Sequence, residues 1–346
     1  MKVILFFIIL IIPFSVSANT LISKTIGGKE IKVIKYETNS KFYDIKIGVT
    51  NDATSLRDIM LQNNAISGVN GVFECPKDYT RCGGKSYTIN ERYVKGEKIS
   101  TYKSTGDRVV FGWDKNIAPF LFQTGKINPD REGEIYEGFA NFPLLLQKGK
   151  LKTEYYYEVG LIDKKMLTKG TRNFICSDKT GKNIYFGYVY NVTLDEAGLI
   201  LIKLGCYNAL NLDAGLSKAF IYNMQYLSGP GREILDGVFI VPKNINFKEK
   251  KKEIKSIINL ILKKLEKFTK KKKVIILDKL ILMLDKYYEK LYKKHSIPLF
   301  EKLDGELVKV GQKTEFKNEL LIEKIYTINM LRHYLYKIKE TIKSTF

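Results

Sequence analysis

The stretch that decides the fold is residues 206–217, which read CYNALNLDAGLS. The apolar residues up to Leu212 predict a short buried strand that ends in the carboxylate of Asp213. Gly215 then predicts a tight turn. A strand that ends in Asp and enters a glycine turn presents that carboxylate, with backbone N–H groups, at the edge of a sheet. The alternative is that Asp213 only caps the turn, and this segment by itself favours neither interpretation.

The residues around this strand predict an α+β fold. Thr193 to Leu204 is predicted as a helix, because it opens with the spacing of a capping box and is followed by Gly205. Thr54 to Asn63 is predicted as a second helix. The predicted strands are Ile31–Tyr36, Phe42–Val49, Ala65–Val72, Arg108–Trp113, Glu154–Leu161, Arg172–Ser177, Ile184–Val189 and Val238–Pro242. Strands mixed irregularly with a few helices indicate a mixed β-sheet domain of the α+β class.

Two different kinds of chain join near residue 245. The length of 346 residues allows two domains, and 24 of the 26 glycines and all four cysteines lie before residue 248. Residues 248–346 instead carry 26 Lys and Arg against 13 Asp and Glu, with Leu and Ile at helical spacing. We therefore predict a sheet domain over residues 19–245 and a basic, all-α bundle of three helices over 246–346. Pro298 and Asp304-Gly305 are predicted to form a connection in that bundle.

The N-terminus has the features of an export signal. Met1-Lys2 precedes the apolar run Val3–Ile12, and the small residues Val16-Ser17-Ala18 follow. This order predicts a signal peptide over residues 1–18 and a secreted, periplasmic or cell-surface protein. An uncleaved membrane anchor is the alternative, although the apolar run is short for a transmembrane helix.

Export permits disulfides, and the four cysteines allow three pairings. Cys75 and Cys82 close a short loop, which favours that pair and leaves Cys176 to bond with Cys206. A zinc site is disfavoured, since the sequence has no C-x-x-C pair. The two histidines, His295 and His333, both lie in the basic tail. Ser-His-Asp and Cys-His catalysis are therefore excluded in the sheet domain.

The net charge of +21 predicts a surface that attracts phosphates, acidic polymers or anionic lipid. An AT-rich genome would produce the same excess of lysine without selection for a partner. The Lys-rich tail is a candidate for docking on an anionic envelope surface, and a solvated bundle surface is the alternative. No motif indicates nucleic-acid binding. We predict no cofactor and no metal site, with a divalent cation on Asp213 as an open alternative.

The order of several segments over about residues 25–243 resembles the phosphodiester glycosidase family. The similar segments are Asn70-Gly71-Val72-Phe73-Glu74, Gly138 to Gly149, Thr171-Arg172-Asn173-Phe174, Thr193-Leu194-Asp195-Glu196, Asn211-Leu212-Asp213-Ala214-Gly215-Leu216-Ser217 and Arg232-Glu233-Ile234-Leu235. The family has glycine where this chain has Val72, Ala214 and Leu216. Glycine at such positions permits a positive φ or the close approach of a ligand.

The resemblance implies an exported hydrolase that cleaves a sugar-1-phosphodiester linkage in envelope or extracellular glycopolymers. Asp213 would act as nucleophile or base, Arg172 would hold the phosphate with Arg232 as a second candidate, and Glu74 would be the second carboxylate. The implied substrate-binding residues are Asn70, Gly71, Asn211, Gly215, Ser217 and Arg232. The alternatives are a catalytically inactive glycan- or phosphate-binding envelope protein of the same fold, and a structural surface protein whose basic tail mediates assembly.

Overall fold

The computed structural model of the chain describes residues 19–99, 108–123, 134–158, 162, 164–243, 245–294, 296–303, 306–315 and 319–344. The predicted signal peptide, residues 1–18, lies outside these ranges, and so does His295. Within them, strands and helices alternate irregularly, and the C-terminal part is mostly helical. The fold is therefore α+β, as the sequence predicts.

The helices of the described ranges are α1 Leu56–Gln62, α2 Thr153–Glu158, α3 Lys164–Leu167, α4 Leu194–Leu204, α5 Phe247–Leu265, α6 Lys270–Lys294 and α7 Glu319–Ser344. The strands of the same ranges are β1 Asn19–Ile26, β2 Lys29–Glu37, β3 Tyr43–Thr54, β4 Ser67–Asn70, β5 Glu74–Cys75, β6 Tyr87–Thr88, β7 Arg92–Val94, β8 Glu97–Lys98, β9 Val109–Trp113, β10 Pro119–Gln123, β11 Glu137–Asn141, β12 Leu144–Gln147, β13 Lys150–Leu151, β14 Gly170–Ser177, β15 Asn183–Val192, β16 Asn208–Asn211, β17 Phe220–Tyr222, β18 Gln225–Ser228, β19 Ile234–Pro242, β20 Ser296–Leu303 and β21 Glu306–Glu315. Within the same ranges, two short 3₁₀ turns cover Thr80–Cys82 and Gly215–Ser217.

The described strands form three large sheets and the β5–β6 pair. The first sheet has the order β13-β12-β16-β14-β15-β2-β1-β21-β20, the second β18-β17-β4-β19-β3, and the third β10-β9-β11-β7-β8. Apolar side chains of all three sheets share one core, which includes Ile175, Phe239 and Phe111. Asn70 ends β4 inside the second sheet, and Asp213 follows β16 inside the first. The two sheets therefore bring together segments that are far apart in the sequence.

Helix α4 covers one face of the first sheet, and its start and end follow from local sequence. The backbone N–H of Glu196 donates to Thr193 Oγ1 at 3.2 Å, and the backbone N–H of Thr193 donates to Glu196 Oε2 at 2.9 Å, which completes the predicted capping box. Gly205 ends the helix with a φ of 100°. The buried face of α4, which includes Leu201, packs on β14 beside Phe174. The part of the sheet under α4 is therefore buried.

One predicted strand, Glu154–Leu161, is wrong in its described part. Residues Thr153–Glu158 form helix α2 instead. Consecutive tyrosines favour a strand on local propensity, but Tyr156 is buried in the main core and Thr153 bonds to Asp195 at the start of α4. These tertiary contacts select the helix. Residues 159–161 lie outside the described ranges.

The tail contributes strands as well as helices. The sequence predicts a connection at Pro298 and Asp304-Gly305, whereas the structure has the hairpin β20–β21 here, with residues 304–305 outside the described ranges. Strand β21 pairs with β1 from Thr20↔Glu315 to Lys24↔Gly311. The edge of β1 would otherwise present unpaired backbone N–H and C=O groups, and this hairpin covers it.

Helices α5, α6 and α7 bury their apolar stripes in the same core cluster as the sheet residues, through side chains such as Ile258, Ile281 and Ile325. Polar contacts also join α7 to the second sheet, since Asn329 Nδ2 donates to the carbonyl of Asn223 at 2.8 Å. The division of the chain at residue 245 stays a prediction.

Disulfides join Cys75 to Cys82 and Cys176 to Cys206, as the sequence predicts. The first closes the loop that follows Glu74, and the second ties the end of β14 to the segment before β16. Both bonds therefore brace segments that lead into the Asp213 region. Among the described residues, every helix is too short or too polar to cross a membrane.

Candidate active site

Asp213 lies where the first and second sheets meet. Its backbone N–H donates to the carbonyl of Gly71 at 2.9 Å. Its own carbonyl accepts hydrogen bonds from Asn70 Nδ2 at 2.8 Å and from Asn173 Nδ2 at 3.0 Å. The backbone of Asp213 is thereby held by both sheets, which leaves its carboxylate to be oriented by other groups.

The Asp213 carboxylate faces the turn that follows it. The backbone N–H of Ala214 donates to Asp213 Oδ1 at 2.8 Å, and the Ser217 hydroxyl is a second hydrogen-bond partner. Burial raises the pKa of Asp213 to about 7, against these two hydrogen bonds and the positive charge of Arg232, which lower it. A carboxyl with this pKa is partly ionised at neutral pH, which suits a base or nucleophile.

The asparagines hold the framework of the site. Asn70 and Asn173 are both buried, and Asn173 Nδ2 donates to Asn70 Oδ1 at 2.7 Å. Asn70 Oδ1 also accepts the backbone N–H of Ala219 at 2.9 Å. Asn211 is 3% exposed, and its carbonyl accepts Asn141 Nδ2 at 2.9 Å. Asn70 and Asn211 therefore position the Asp213 strand rather than present their amides to solvent.

Two further carboxylates lie beside Asp213. Asp236 is completely buried, with Oδ1 accepting the backbone N–H of Val72 at 3.0 Å and Oδ2 lying 3.5 Å from Arg92 Nη1. Glu74 accepts the backbone N–H of Leu235. Burial, and then the negative charge of Asp236, raise the pKa of Glu74 well above its ordinary range. Burial likewise raises the pKa of Asp236. The pair therefore retains a proton at neutral pH.

Arg232 supplies the cation on the Asp213 side. Its backbone N–H donates to the carbonyl of Leu216 at 2.7 Å, and its guanidinium stacks over the Tyr79 ring at 5.1 Å. Its Nη1 lies 3.4 Å from Asp78 Oδ1, a largely exposed carboxylate. The Nε–H is buried and has no hydrogen-bond partner within the described ranges. Arg232 therefore has a donor to spare next to Asp213.

Arg172 is the one predicted catalytic residue that the structure does not bring to Asp213. Its Nη2 donates to the carbonyls of Met166 and Thr168. Burial lowers the pKa of Arg172, and the electrostatic effect of Tyr157 partly offsets that shift. Successive side chains of a strand point to opposite faces, and Asn173 occupies the face of Asp213. Arg172 consequently lies on the α4 face of β14. The prediction of a hollow shared by Arg172 and Asp213 is corrected here.

The backbone around Asp213 is unstrained both at the retained glycines and at the positions where the family has glycine and this chain does not. Gly71 is required, because an added Cβ would lie 2.1 Å from Asp236 Oδ1, and Gly215 has a φ of 63°. Ala214 is extended, with a φ of −143°. Val72 and Leu216 also avoid positive φ, so neither replacement strains the backbone. Leu216 is 70% exposed and lies on the rim of the site.

Sequence reasoning missed three residues of this site, namely Arg92, Asn173 and Asp236. The signal for Asp236 was available, since it is a lone carboxylate in the apolar run ILDGVFIV of residues 234–241. Such a carboxylate is rarely buried without a partner. Across the described residues, no group of three or more His, Cys, Asp and Glu side chains is arranged to hold a metal ion.

The family model of the phosphodiester glycosidases matches residues 63–241, more than half of the chain. This range contains Asn70, Glu74, Asp213 and Asp236. The chain belongs to the phosphodiester glycosidase family. Membership supports a hydrolase of phosphodiester-linked sugars. A search of curated proteins found no match.

Solved structures show similarity of fold. The zebrafish N-acetylglucosamine-1-phosphodiester alpha-N-acetylglucosaminidase catalytic domain, auto-inhibited by its pro-peptide, is 15% identical, with a TM-score of 0.50. The match covers 67% of this chain and 85% of that one. A hypothetical protein from Synechocystis is 13% identical, with a TM-score of 0.47, and the match covers 67% of this chain. The match spans 64% of the Synechocystis protein, a little under two thirds of its length.

Proposed function

We propose that this protein hydrolyses the bond between the anomeric carbon of a sugar and the oxygen of a phosphodiester. The reaction releases the sugar and leaves a phosphomonoester. The observation that supports the proposal is that the Asp213 carboxylate lies within electrostatic reach of a second carboxyl, Glu74, whose pKa is raised by burial and by Asp236, and of a guanidinium, Arg232. Asp213 acts as nucleophile or as base for the attacking water, because positive charge develops at the anomeric carbon in the transition state.

The two carboxyls divide the acid and base roles. Burial raises the pKa values of both groups. The hydrogen bonds from Ser217 and Ala214 and the charge of Arg232 then limit the rise for Asp213, whereas the charge of Asp236 raises the pKa of Glu74 further. Glu74 is the donor for the leaving oxygen. A phosphate leaving group needs little protonation, so Glu74 contributes less than Asp213 to the rate.

Of the two arginines that the sequence suggests for the phosphate, Arg232 takes the role rather than Arg172. A guanidinium binds a phosphate through paired, charge-assisted hydrogen bonds, and Arg232 has its unpartnered Nε–H next to Asp213. The exposed Leu216 on the same rim is available to contact the sugar or its aglycone.

The proposed location is outside the cytoplasm, and the substrate is a phosphodiester-linked sugar of an envelope or extracellular glycopolymer. Two disulfides support this location, because such bonds persist in oxidising compartments. The signal peptide over residues 1–18 belongs to the same proposal. Exposed lysines at the α5–α6 junction, among them Lys264, Lys267 and Lys271, support docking on an anionic envelope surface.

The test is turnover of a chromogenic sugar-1-phosphodiester by the full chain, with Arg232→Met compared with Arg81→Met. Arg81 is exposed and also stacks on Tyr79, at 5.5 Å, so it is a matched control. We expect Arg232→Met to raise KM by ~10–100-fold, the value of a hydrogen bond to a charged group. Arg81→Met should leave KM within about twofold. Equal effects of the two variants would remove Arg232 from phosphate binding, and binding of the substrate without turnover would favour the inactive binding protein.

The pH profile of kcat/KM is expected to report both carboxyls. Activity should rise as the pH increases through about 7, because Asp213 must lose its proton to act. It should fall again at alkaline pH, where Glu74 loses its proton, and Glu74→Gln should remove that alkaline limb alone. The measurement is kcat/KM from pH 4 to 10. An acidic limb near pH 4, the ordinary range of an aspartate, would contradict the assignment of Asp213.

A further inference from the structure

A cavity of about 250 Å³ lies where α7 packs against α1 and the turn between β17 and β18. We call it the junction cavity. Its lining side chains with N–H or O–H donors include Arg57, Tyr226, Asn329, Arg332, His333 and Tyr336. None of them belongs to the Asp213 site. The volume lies below the range of about 300–1,000 Å³ of sites for drug-sized ligands, so it suits a small ion or a single charged group.

Arg57 reaches the junction cavity from α1. Its Nη2 donates to the carbonyl of Met224 at 3.2 Å, and its guanidinium stacks over the Tyr226 ring at 4.6 Å. The Nε–H is buried with no hydrogen-bond partner in the described part of the chain. The negative charge of Asp58 raises the pKa of Arg57. Asp58 Oδ2 already accepts a hydrogen bond from Ser55 Oγ at 2.7 Å. Among the described residues, Arg57 thus has a buried donor without a partner, and no carboxylate forms an ion pair with it.

Arg332 reaches the same cavity from α7. Its Nη1 donates to Asn329 Oδ1 at 2.8 Å, and its Nη2 pairs with Asp285. Its Nε–H, like that of Arg57, is buried without a partner in the described ranges. Burial, and the charge of Arg332, lower the pKa of Arg57, which places the two guanidiniums within electrostatic reach. Like charges held together beside unpaired donors cost free energy unless an anion joins them.

The histidine of the cavity, His333, is uncharged at neutral pH. Burial, followed by the positive charges of Lys337 and Arg57, lowers the pKa of His333 to about 4. An uncharged imidazole can donate a hydrogen bond to an oxyanion without adding a third buried charge. The donors therefore come from three separate elements, α1, β18 and α7, and line one small space.

We propose that the junction cavity binds a phosphate group, either free phosphate or the phosphate of a lipid headgroup, between Arg57 and Arg332. A phosphate fits this set because its several oxygens can accept from two guanidinium groups at once. The bound anion bridges α1 and α7 and so stabilises the packing of the tail on the sheets. This site is independent of the proposed hydrolysis.

The test measures binding of sodium phosphate to the full chain by calorimetry, against sodium chloride at the same ionic strength. We expect Arg57→Met to weaken phosphate binding at least tenfold, and Arg57→Lys, which keeps the charge but loses the planar fork, to weaken it less. Lys203→Met removes an exposed charge elsewhere and should bind as the unmodified chain does. Phosphate should also raise the melting temperature of the unmodified chain and not that of Arg57→Met.

Two further arms separate the sources and the sites. Arg232→Met removes the cation at the Asp213 site and should abolish any phosphate binding there, while the phosphate binding that depends on Arg57 stays unchanged. Failure of the proposed hydrolysis and failure of this proposal are therefore distinguishable. Phosphatidylglycerol vesicles, compared with phosphatidylcholine vesicles, report on headgroup binding. Loss of either phosphate or vesicle binding in Arg57→Met supports the proposal and identifies the source. The proposal is overturned if the unmodified chain binds neither phosphate nor the vesicles. It is also overturned if Arg57→Met and Arg332→Lys both retain that binding in full.

Discussion

Replacing Asp213 with Asn is expected to lower kcat for a sugar-1-phosphodiester by roughly a thousandfold or more, about 4 kcal/mol of transition-state stabilisation. An amide neither attacks the anomeric carbon nor accepts a proton from water. The backbone contacts of this residue, to Gly71, Asn70 and Asn173, do not involve the replaced carboxyl oxygens. The variant should therefore fold normally while losing activity. The measurement is kcat with full progress curves, beside circular dichroism of both proteins.

The same variant has an expected effect on stability, of opposite sign. Burial raises the pKa of Asp213 to about 7, so its ionised form is disfavoured in the folded protein. The folded state loses stability as the pH rises from the unfolded pKa of about 4 to about 7, and the loss is complete above that. Asp213→Asn should then melt at a higher temperature than the unmodified chain at pH 8, with a smaller difference at pH 4. Asp52→Asn, at an exposed position, is the matched control and should change neither kcat nor the melting temperature. Turnover by Asp213→Asn equal to that of the control would exclude Asp213 from the mechanism.

The second large effect is expected from Gly71→Ala. A Cβ at this position would lie 2.1 Å from Asp236 Oδ1, which also holds the backbone N–H of Val72. The added methyl group must displace a completely buried carboxylate or the backbone that carries Asn70. We expect a loss of ~3 kcal/mol in the free energy of unfolding, at the upper end of overpacking effects. Because Gly71 also accepts the N–H of Asp213, kcat should fall as well.

Gly170→Ala is the control for this substitution. Gly170 lies on β14 and has open space within 4 Å of an added Cβ, without a positive φ. It should stay within about 0.5 kcal/mol of the unmodified chain in urea unfolding. If Gly71→Ala is as stable as Gly170→Ala, Asp236 is free to move, and the close approach that we describe is not essential.

Local features of the chain were predictable where a few neighbouring residues carry the whole interaction. The capping box of α4 involves only Thr193 and Glu196, and Cys75 and Cys82 have a sequence separation of 7. The strand that ends at Asp213 was predictable for the same reason. Helix α2 shows the limit of local reasoning. Its tyrosines favour a strand, and the helix follows from contacts with the core and with the distant Asp195.

Only the assembled sheet shows that Asn173, and not Arg172, lies on the same face of β14 as Asp213. Strand β14 is covered on both faces, by α4 and by the central core, so its sequence lacks the alternation that would tell one face from the other. A shift of one residue exchanges the faces. The pairing of Glu74 with Asp236 likewise could not be predicted from local sequence, because the two residues come from strands in different sheets.

By itself, the sequence determined the α+β class, the capping box of α4, the Cys75–Cys82 pair and the aspartate at the end of its strand, since each depends on contacts over short separations or on a pattern read directly along the chain. The Cys176–Cys206 pair was then favoured as the remaining one. Only the tertiary structure decided which side chains share a face with Asp213, that β21 joins the first sheet beside β1, and that Arg57 and Arg332 meet across a cavity. Those outcomes depend on how sheets and helices pack, because burial on both faces erases the periodic signal that local sequence would otherwise carry.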